Sequence, residues 1–113
     1  MLARLAPDVA WEAWDDNSAQ QAGVPWLMAR HGREGAAAFF DVVGRMRIHR
    51  FDVLSMMAGG NQVAVEFEID ATPEGCSRYV DQEIHLWTFN AAGQVTRLRH
   101  YADTAKHIAS AGL

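Results

Sequence analysis

DQEIHLWTFNAAGQVTRLRHYAD, residues 81–103, reads as two strands joined by a tight turn at Asn90-Ala91-Ala92-Gly93. Strand side chains alternate with period two, so Glu83, His85, Trp87 and Phe89 share one face. With a two-residue turn at Ala91-Ala92, Asn90 faces Gly93, Glu83 lies opposite His100, and His85 lies opposite Leu98. Cross-strand partners share a face with Cβ atoms ~5 Å apart. A carboxylate and two imidazoles then cluster beside a tryptophan, either as a reactive pocket or as a solvated outer face. In the second case Val80, Ile84 and Leu86 point into the core. A bulge at Gly93 would instead shift the register by one and separate Glu83 from His100.

The same period extends upstream. Val63, Val65, Phe67 and Ile69 alternate with Ala64, Glu66, Glu68 and Asp70, the pattern of a strand with one face on a core. Residues 48–58 read as a strand ending at the turn Gly59-Gly60-Asn61. Before them the period changes to that of a helix. Ala36, Phe39, Phe40, Val43 and Met46 form one apolar stripe, predicting a helix over residues 33–46. Residues 9–14 are a short strand candidate and residues 15–25 a polar loop. Residues 1–5 read as the tail of a helix stopped by Pro7. Asp103 is expected to cap a closing helix over residues 105–111, accepting backbone N–H groups. Helix first, then antiparallel strands, indicates an α+β fold of one domain, residues 1–113.

Composition narrows the function. Half of the 113 residues are hydrophobic and the net charge is −4, the make-up of a folded globule. The weak acidity argues against nucleic acid as a partner. No apolar run reaches the ~20 residues of a membrane span, and no leader pattern opens the chain, so the expected location is cytoplasmic. Cys76 is the only cysteine, which leaves no internal disulfide and no cysteine metal site. No phosphate loop, nucleophile elbow or dinucleotide fingerprint is present. Neither a metal nor a cofactor is expected.

Two stretches resemble a known family. PWLMARHGREGAAAFFDVV resembles the loop and helix preceding the sheet in nuclear transport factor 2-like proteins, and HLWTFNAAGQVTRLRHYADTAKHIA resembles the last hairpin and tail of their SnoaL-like, ketosteroid-isomerase-related branch. The resemblance implies a cone-shaped fold, in which a strongly bent antiparallel sheet wraps around helices and leaves an apolar pocket. It also implies a small apolar ligand and, often, a homodimer. Because the family includes isomerases, dehydratases, cyclases, epoxide hydrolases and binding modules, fold alone does not name a reaction. The ketosteroid isomerases' oxyanion-hole acid falls at His85. Their general-base aspartate falls near Ala13, with Glu12 its only acidic neighbour. An epoxide-hydrolase aspartate falls at His100, but its arginine and aspartate partners have no counterparts in residues 63–70. Both alignments put Leu98 and Ala102 on the pocket wall.

His100, His85 and Glu83 are therefore the expected catalytic set, with His100 as base or acid, Glu83 orienting it, and His85 donating to an oxyanion. Trp87, Leu98, Ala102, Phe67, Trp11 and Trp14 are the expected ligand contacts. Glu12 is expected to be solvated, and His49 and His107 to lie on the surface. The expected activity is cofactor-free proton transfer on a small apolar carbonyl compound, as in an isomerase, cyclase or dehydratase. A non-catalytic binding or dimerisation module is the alternative, and an epoxide hydrolase the second. Relatives usually begin with a helix of some ~20 residues, whereas here only residues 1–6 precede Pro7. With that first helix largely missing, oligomerisation through the gap or the outer sheet face is expected.

Overall fold

Leu5, Val9 and Trp11 are buried and hold the first strand, β1 (Leu5–Trp11), against the remainder of the sheet. The structure is a computed structural model and describes residues 2–113. Residues Leu2–Arg4 form a single 3-10 turn where a helix tail was expected. After β1 the polar stretch contains a short helix, α1 (Ser18–Ala22). The Asn17 side chain accepts the Ala19 and Gln20 N–H groups, and Gly23 closes the helix at φ 86°. Asn before Ser and Gly after Ala is cap chemistry at both ends, so this loop carried a helix signal that turn composition masked.

A two-residue strand, β2 (Arg30–His31), leads into α2 (Gly32–Val43), which buries Ala36 and packs mainly on β1. Then come β3 (Arg47–Gly59), β4 (Gln62–Thr72), β5 (Tyr79–Phe89), β6 (Val95–Tyr101) and the closing helix α3 (Thr104–Ala111). Among the described residues the strands form one sheet in the order β2-β1-β6-β5-β4-β3. All neighbours are antiparallel except β1 and β6, which run parallel. The sheet is thus mixed, because the chain returns from β2 through α2 to the far edge before winding back.

The last hairpin differs from a two-residue turn. Asn90 Oδ1 accepts the N–H groups of Ala92 and Gln94, Asn90 N–H donates to the Gln94 carbonyl, and Gly93 adopts φ 79°. This wider turn, with a bulge at Thr88/Phe89, sets His85 opposite His100 and Trp87 opposite Leu98. The shift is two residues, so every side chain keeps its face. Val80 and Ile84 are 43% and 39% exposed, whereas Asp81 and Glu83 are 3% exposed. The face bearing the imidazoles therefore points into the molecule.

Two apolar clusters fill the interior. One gathers Trp26, Leu27, Phe67, Ile69 and Tyr79, and the other Leu5, Val9, Trp11, Ala36, Val95 and Leu98. Asp103 occupies the N-cap position of α3, but its side chain makes no capping bond. Its own N–H donates to Asp81 Oδ2 instead, so the strand holds the start of the helix. Leu98, 1% exposed at the centre of the second cluster, tests this packing. Leu98→Ala is expected to lower unfolding free energy by about 2–5 kcal/mol, read by urea denaturation.

Candidate active site

Period two places Asp81, Glu83 and His85 on the inner face of β5, and the β5–β6 register brings His100 beside His85. The two imidazole rings lie 4.4 Å apart, centre to centre, and nearly perpendicular. His85 also rests against Phe67 at 4.5 Å and Trp87 at 5.8 Å. Glu12, just beyond β1, turns back at φ 53° and is only 2% exposed. Its Oε1 lies 2.9 Å from His100 Nδ1, while Glu83 Oε1 lies 2.5 Å from His100 Nε2. On the other side Glu83 Oε2 lies 2.8 Å from Nε2 of His107, a residue 0% exposed on α3. Asp81 Oδ2 is 3.0 Å from the same nitrogen.

Donor chemistry assigns the protons. An indole N–H only donates, and Trp26 Nε1 lies 2.8 Å from His107 Nδ1, so that nitrogen is the acceptor. The proton of His107 then sits on Nε2, shared between Asp81 and Glu83. Burial opposes a charge on His107 and the two carboxylates raise its proton affinity; the proton they hold is the one on Nε2. Both nitrogens of His100 face carboxylate oxygens, so both carry hydrogen and the ring is an imidazolium. Burial works against that charge, but Glu12 and Glu83 outweigh it and push the His100 pKa up to about 10. For Glu83 burial likewise favours the neutral acid, and the hydrogen bonds from His100 and His107 overcome it, holding the carboxyl far below its usual range. His85 takes the opposite course. Burial and the adjacent His100 cation drive it down to about 3, with Glu83 offsetting only part. It is a neutral imidazole with no protein hydrogen bond among those of the described residues.

The pair looks into an apolar cavity of about 160 Å³. Its walls include Trp26, Phe39, Phe51, Phe67 and Tyr79, and its polar end is Glu83, His85 and His100. Of the expected ligand contacts, Phe67 lines it. Trp11, Trp87 and Leu98 stand behind the imidazoles in the second apolar cluster, Trp11 packing on Trp87 at 5.7 Å. Trp14 packs on Tyr101 at 4.9 Å, and Ala102 borders a shallow outer depression with Glu66, Gln82 and Ile84. Two expectations are overturned: Glu12 is buried because its left-handed backbone folds it under His100, and His107 is buried because α3 docks on β5. Asp81 was legible by the same alternation that picked out Glu83. No local signal marked Glu12 or His107, whose roles depend on contacts 88 and 24 residues away.

Asp81, Glu83 and His107 bring three donor atoms within 4.8 Å of one another, a metal-like set by residue type. The indole bond to Nδ1 keeps a proton on His107 Nε2, the atom that would have to ligate, so this set is an internal hydrogen-bond node.

The fold is matched by sequence as well as by shape. The chain belongs to the SnoaL-like domain family. The family's sequence model matches residues 1–98. Among curated proteins none matches this SnoaL-like chain. Solved structures share its nuclear transport factor 2-like fold. A nuclear transport factor 2-like protein of unknown function from Burkholderia pseudomallei is 22% identical at a TM-score of 0.77, covering 99% of this chain and 82% of its own. A proposed SnoaL-like polyketide cyclase from Mesorhizobium loti is 24% identical at 0.67, over 88% of this chain and 80% of its own. A protein of ketosteroid isomerase-like fold from Catenulispora acidiphila, in complex with trimethylamine, is 14% identical at 0.68, over 99% and 79%. No described helix is long and apolar enough to cross a membrane.

The site makes stability of the SnoaL-like domain peak near pH 6.5. Above that value the unfolded chain sheds a proton that His100 keeps until about 10, so stability falls as pH rises. Below it the unfolded chain protonates an imidazole that His85 leaves neutral until about 3, so stability falls again. Glu83, whose folded pKa is depressed, adds to the loss in acid. Denaturant midpoints measured from pH 4 to 10, with imidazole ¹⁵N shifts reporting His100 doubly protonated and His85 neutral at pH 7, check both signs.

Proposed function

We propose that this SnoaL-like chain binds a small, largely apolar carbonyl compound in the cavity and polarises its oxygen through His85. The observation that carries the reading is an imidazole, His85, that has no hydrogen bond among the described residues and stands with Glu83 and His100 at the polar end of an aromatic-walled cavity. A cavity of this size takes a molecule of about one ring, since a ~150 Å³ apolar cavity holds benzene. The neighbouring imidazolium supports the chemistry: charge developing on the carbonyl oxygen meets an N–H donor backed by a fixed cation in a dry site. Two buried carboxylates, Glu12 and Glu83, already neutralise that cation and disfavour an anionic ligand. His100 has no free nitrogen, so in this reading it acts as a fixed positive charge, Glu83 and Glu12 holding it there, and not as the base. The relatives support the class, one being a proposed polyketide cyclase and one holding a small organic molecule. A homodimer belongs to the same reading.

A second reading, a non-catalytic binding module, is favoured by one observation. The depressed basicity of His85 leaves no imidazole matched to proton abstraction near neutral pH. An epoxide hydrolase gains no such support, because the lining among the described residues holds one carboxylate and no arginine.

Cyclohexanone and related one-ring ketones serve as probes, with binding followed by His85 chemical shifts and turnover by deuterium exchange α to the carbonyl. Water takes the α-proton while His85 polarises the oxygen, so His85→Leu, which removes the N–H donor, is expected to lower exchange by about 10²–10³-fold while affinity changes less than about tenfold. Binding without exchange in the unaltered protein would leave the module, and no shift of His85 with any probe would remove both readings.

A further inference from the structure

Two borders of the cavity matter for a ligand longer than one ring. One is formed by Ile48 and Phe51, cavity walls that belong to the edge strand β3 and are 46% and 47% exposed. Val53, opposite Phe67, continues that apolar face and is 52% exposed. The other border is Met46. Met46 and Trp26 line the cavity and also line a separate crevice of about 190 Å³, whose further walls include Val42, Pro73 and Cys76. The crevice lies between the end of α2 and the turn that joins β4 to β5. That turn is set by the Cys76 N–H, which donates to the Pro73 carbonyl, and by Gly75 at φ 70°. Cavity and crevice are thus neighbouring hollows that share an indole and a thioether.

The two shared residues differ in freedom. Trp26 is buried, its Nε1–H donates to His107, and its ring stacks on Tyr79. Met46 lies just beyond α2, where its N–H donates to the Val43 carbonyl, and it is only partly buried. Its unbranched side chain is of the type that adapts to irregular space. We propose that Met46 is the specificity-determining partition of this site, turning aside to admit an alkyl tail, and that the ligand is a one-ring ketone carrying an unbranched chain. This rests on the carbonyl reading above, which supplies the ring and its anchor at His85. A ~150 Å³ apolar cavity holds the six carbons of benzene, so the crevice takes a chain of about six carbons. It suits a tail better than β3 does. The crevice has a wall on each side, whereas a chain laid along the half-exposed Ile48, Phe51 and Val53 keeps one side in water and gains less from burial. Arg45 and Glu74, the charged residues of the crevice, are exposed and opposite in sign, so its rim selects no charged end group.

Cys76, the only cysteine, reports on the crevice. Cyclohexanone is compared with cyclohexanones bearing a hexyl chain at carbon 2, 3 or 4. His85 chemical shifts follow the ring, and the rate of Cys76 modification by dithionitrobenzoate follows the tail. At least one hexyl ketone is expected to bind about tenfold or more tighter than cyclohexanone and, at saturation, to slow Cys76 modification by about tenfold. Cyclohexanone is expected to leave that rate unchanged. Benzyl methanethiosulfonate on Cys76 fills the crevice without a mutation, and is expected to remove the advantage of the tail while cyclohexanone still binds. Met46→Ala, which takes the partition away, is expected to widen that advantage by about threefold or more. Hexyl ketones that shift His85 yet leave Cys76 reacting at its free rate overturn the proposal and put the tail along β3. Protection of Cys76 without a shift of His85 overturns it too, since one ligand must span both hollows. No shift of His85 with any of these ketones removes the carbonyl reading itself, and the tail site with it.

Discussion

A carboxylate with almost no access to water, Glu83, is the constraint around which this domain is arranged. Leaving such a charge without partners would cost several kcal/mol. It is met by an imidazole on each side, His100 from β6 and His107 from α3, each of which is tied in turn to a further element. Glu12 joins the end of β1 to His100, and Trp26 joins the segment before β2 to His107. Four separate parts of the chain therefore converge on one strand. Such a network adds little stability over well-packed hydrocarbon, while removing one member strands the others. Its effect is to specify the arrangement, including which way α3 docks.

The same network decides what His85 is. An imidazole alone in an aromatic pocket would lose basicity by desolvation. Here it also sits beside a permanent cation, and Glu83 is too fully engaged by hydrogen bonds to compensate. The outcome is a ring with free nitrogens and no charge, next to one with charge and no free nitrogens. Two chemically identical side chains, cross-strand neighbours, are driven to opposite protonation states by their partners alone.

Core and cavity divide the aromatic residues between them. Trp11, Phe40 and Trp87, together with the aliphatic Leu98, pack behind the imidazoles and hold β1 and α2 to the sheet. Trp26, Phe51, Phe67 and Tyr79 face the open side. Phe39 serves both, touching Trp11 at 5.4 Å and lining the cavity. The edge strand β3 extends this wall into solvent with hydrocarbon on its inner face, so the pocket and the sheet edge are one continuous surface.

Element types and facing were legible in the residues themselves. Alternation over β4 and β5 identified the apolar and ionic faces, the helical stripe identified α2, and parity put Glu83, His85 and His100 on one side of the hairpin for any turn that shifts the register by an even number of residues. That robustness is geometric, since a register error of two residues leaves every side chain on its own face. The tertiary structure alone decided that this side looks inward, because exposure of Val80 and Ile84 is settled by what packs against them and not by their own hydrophobicity. It alone also recruited Glu12 and His107, whose burial arises from a left-handed backbone and from a docked helix, long-range events that no local spacing encodes.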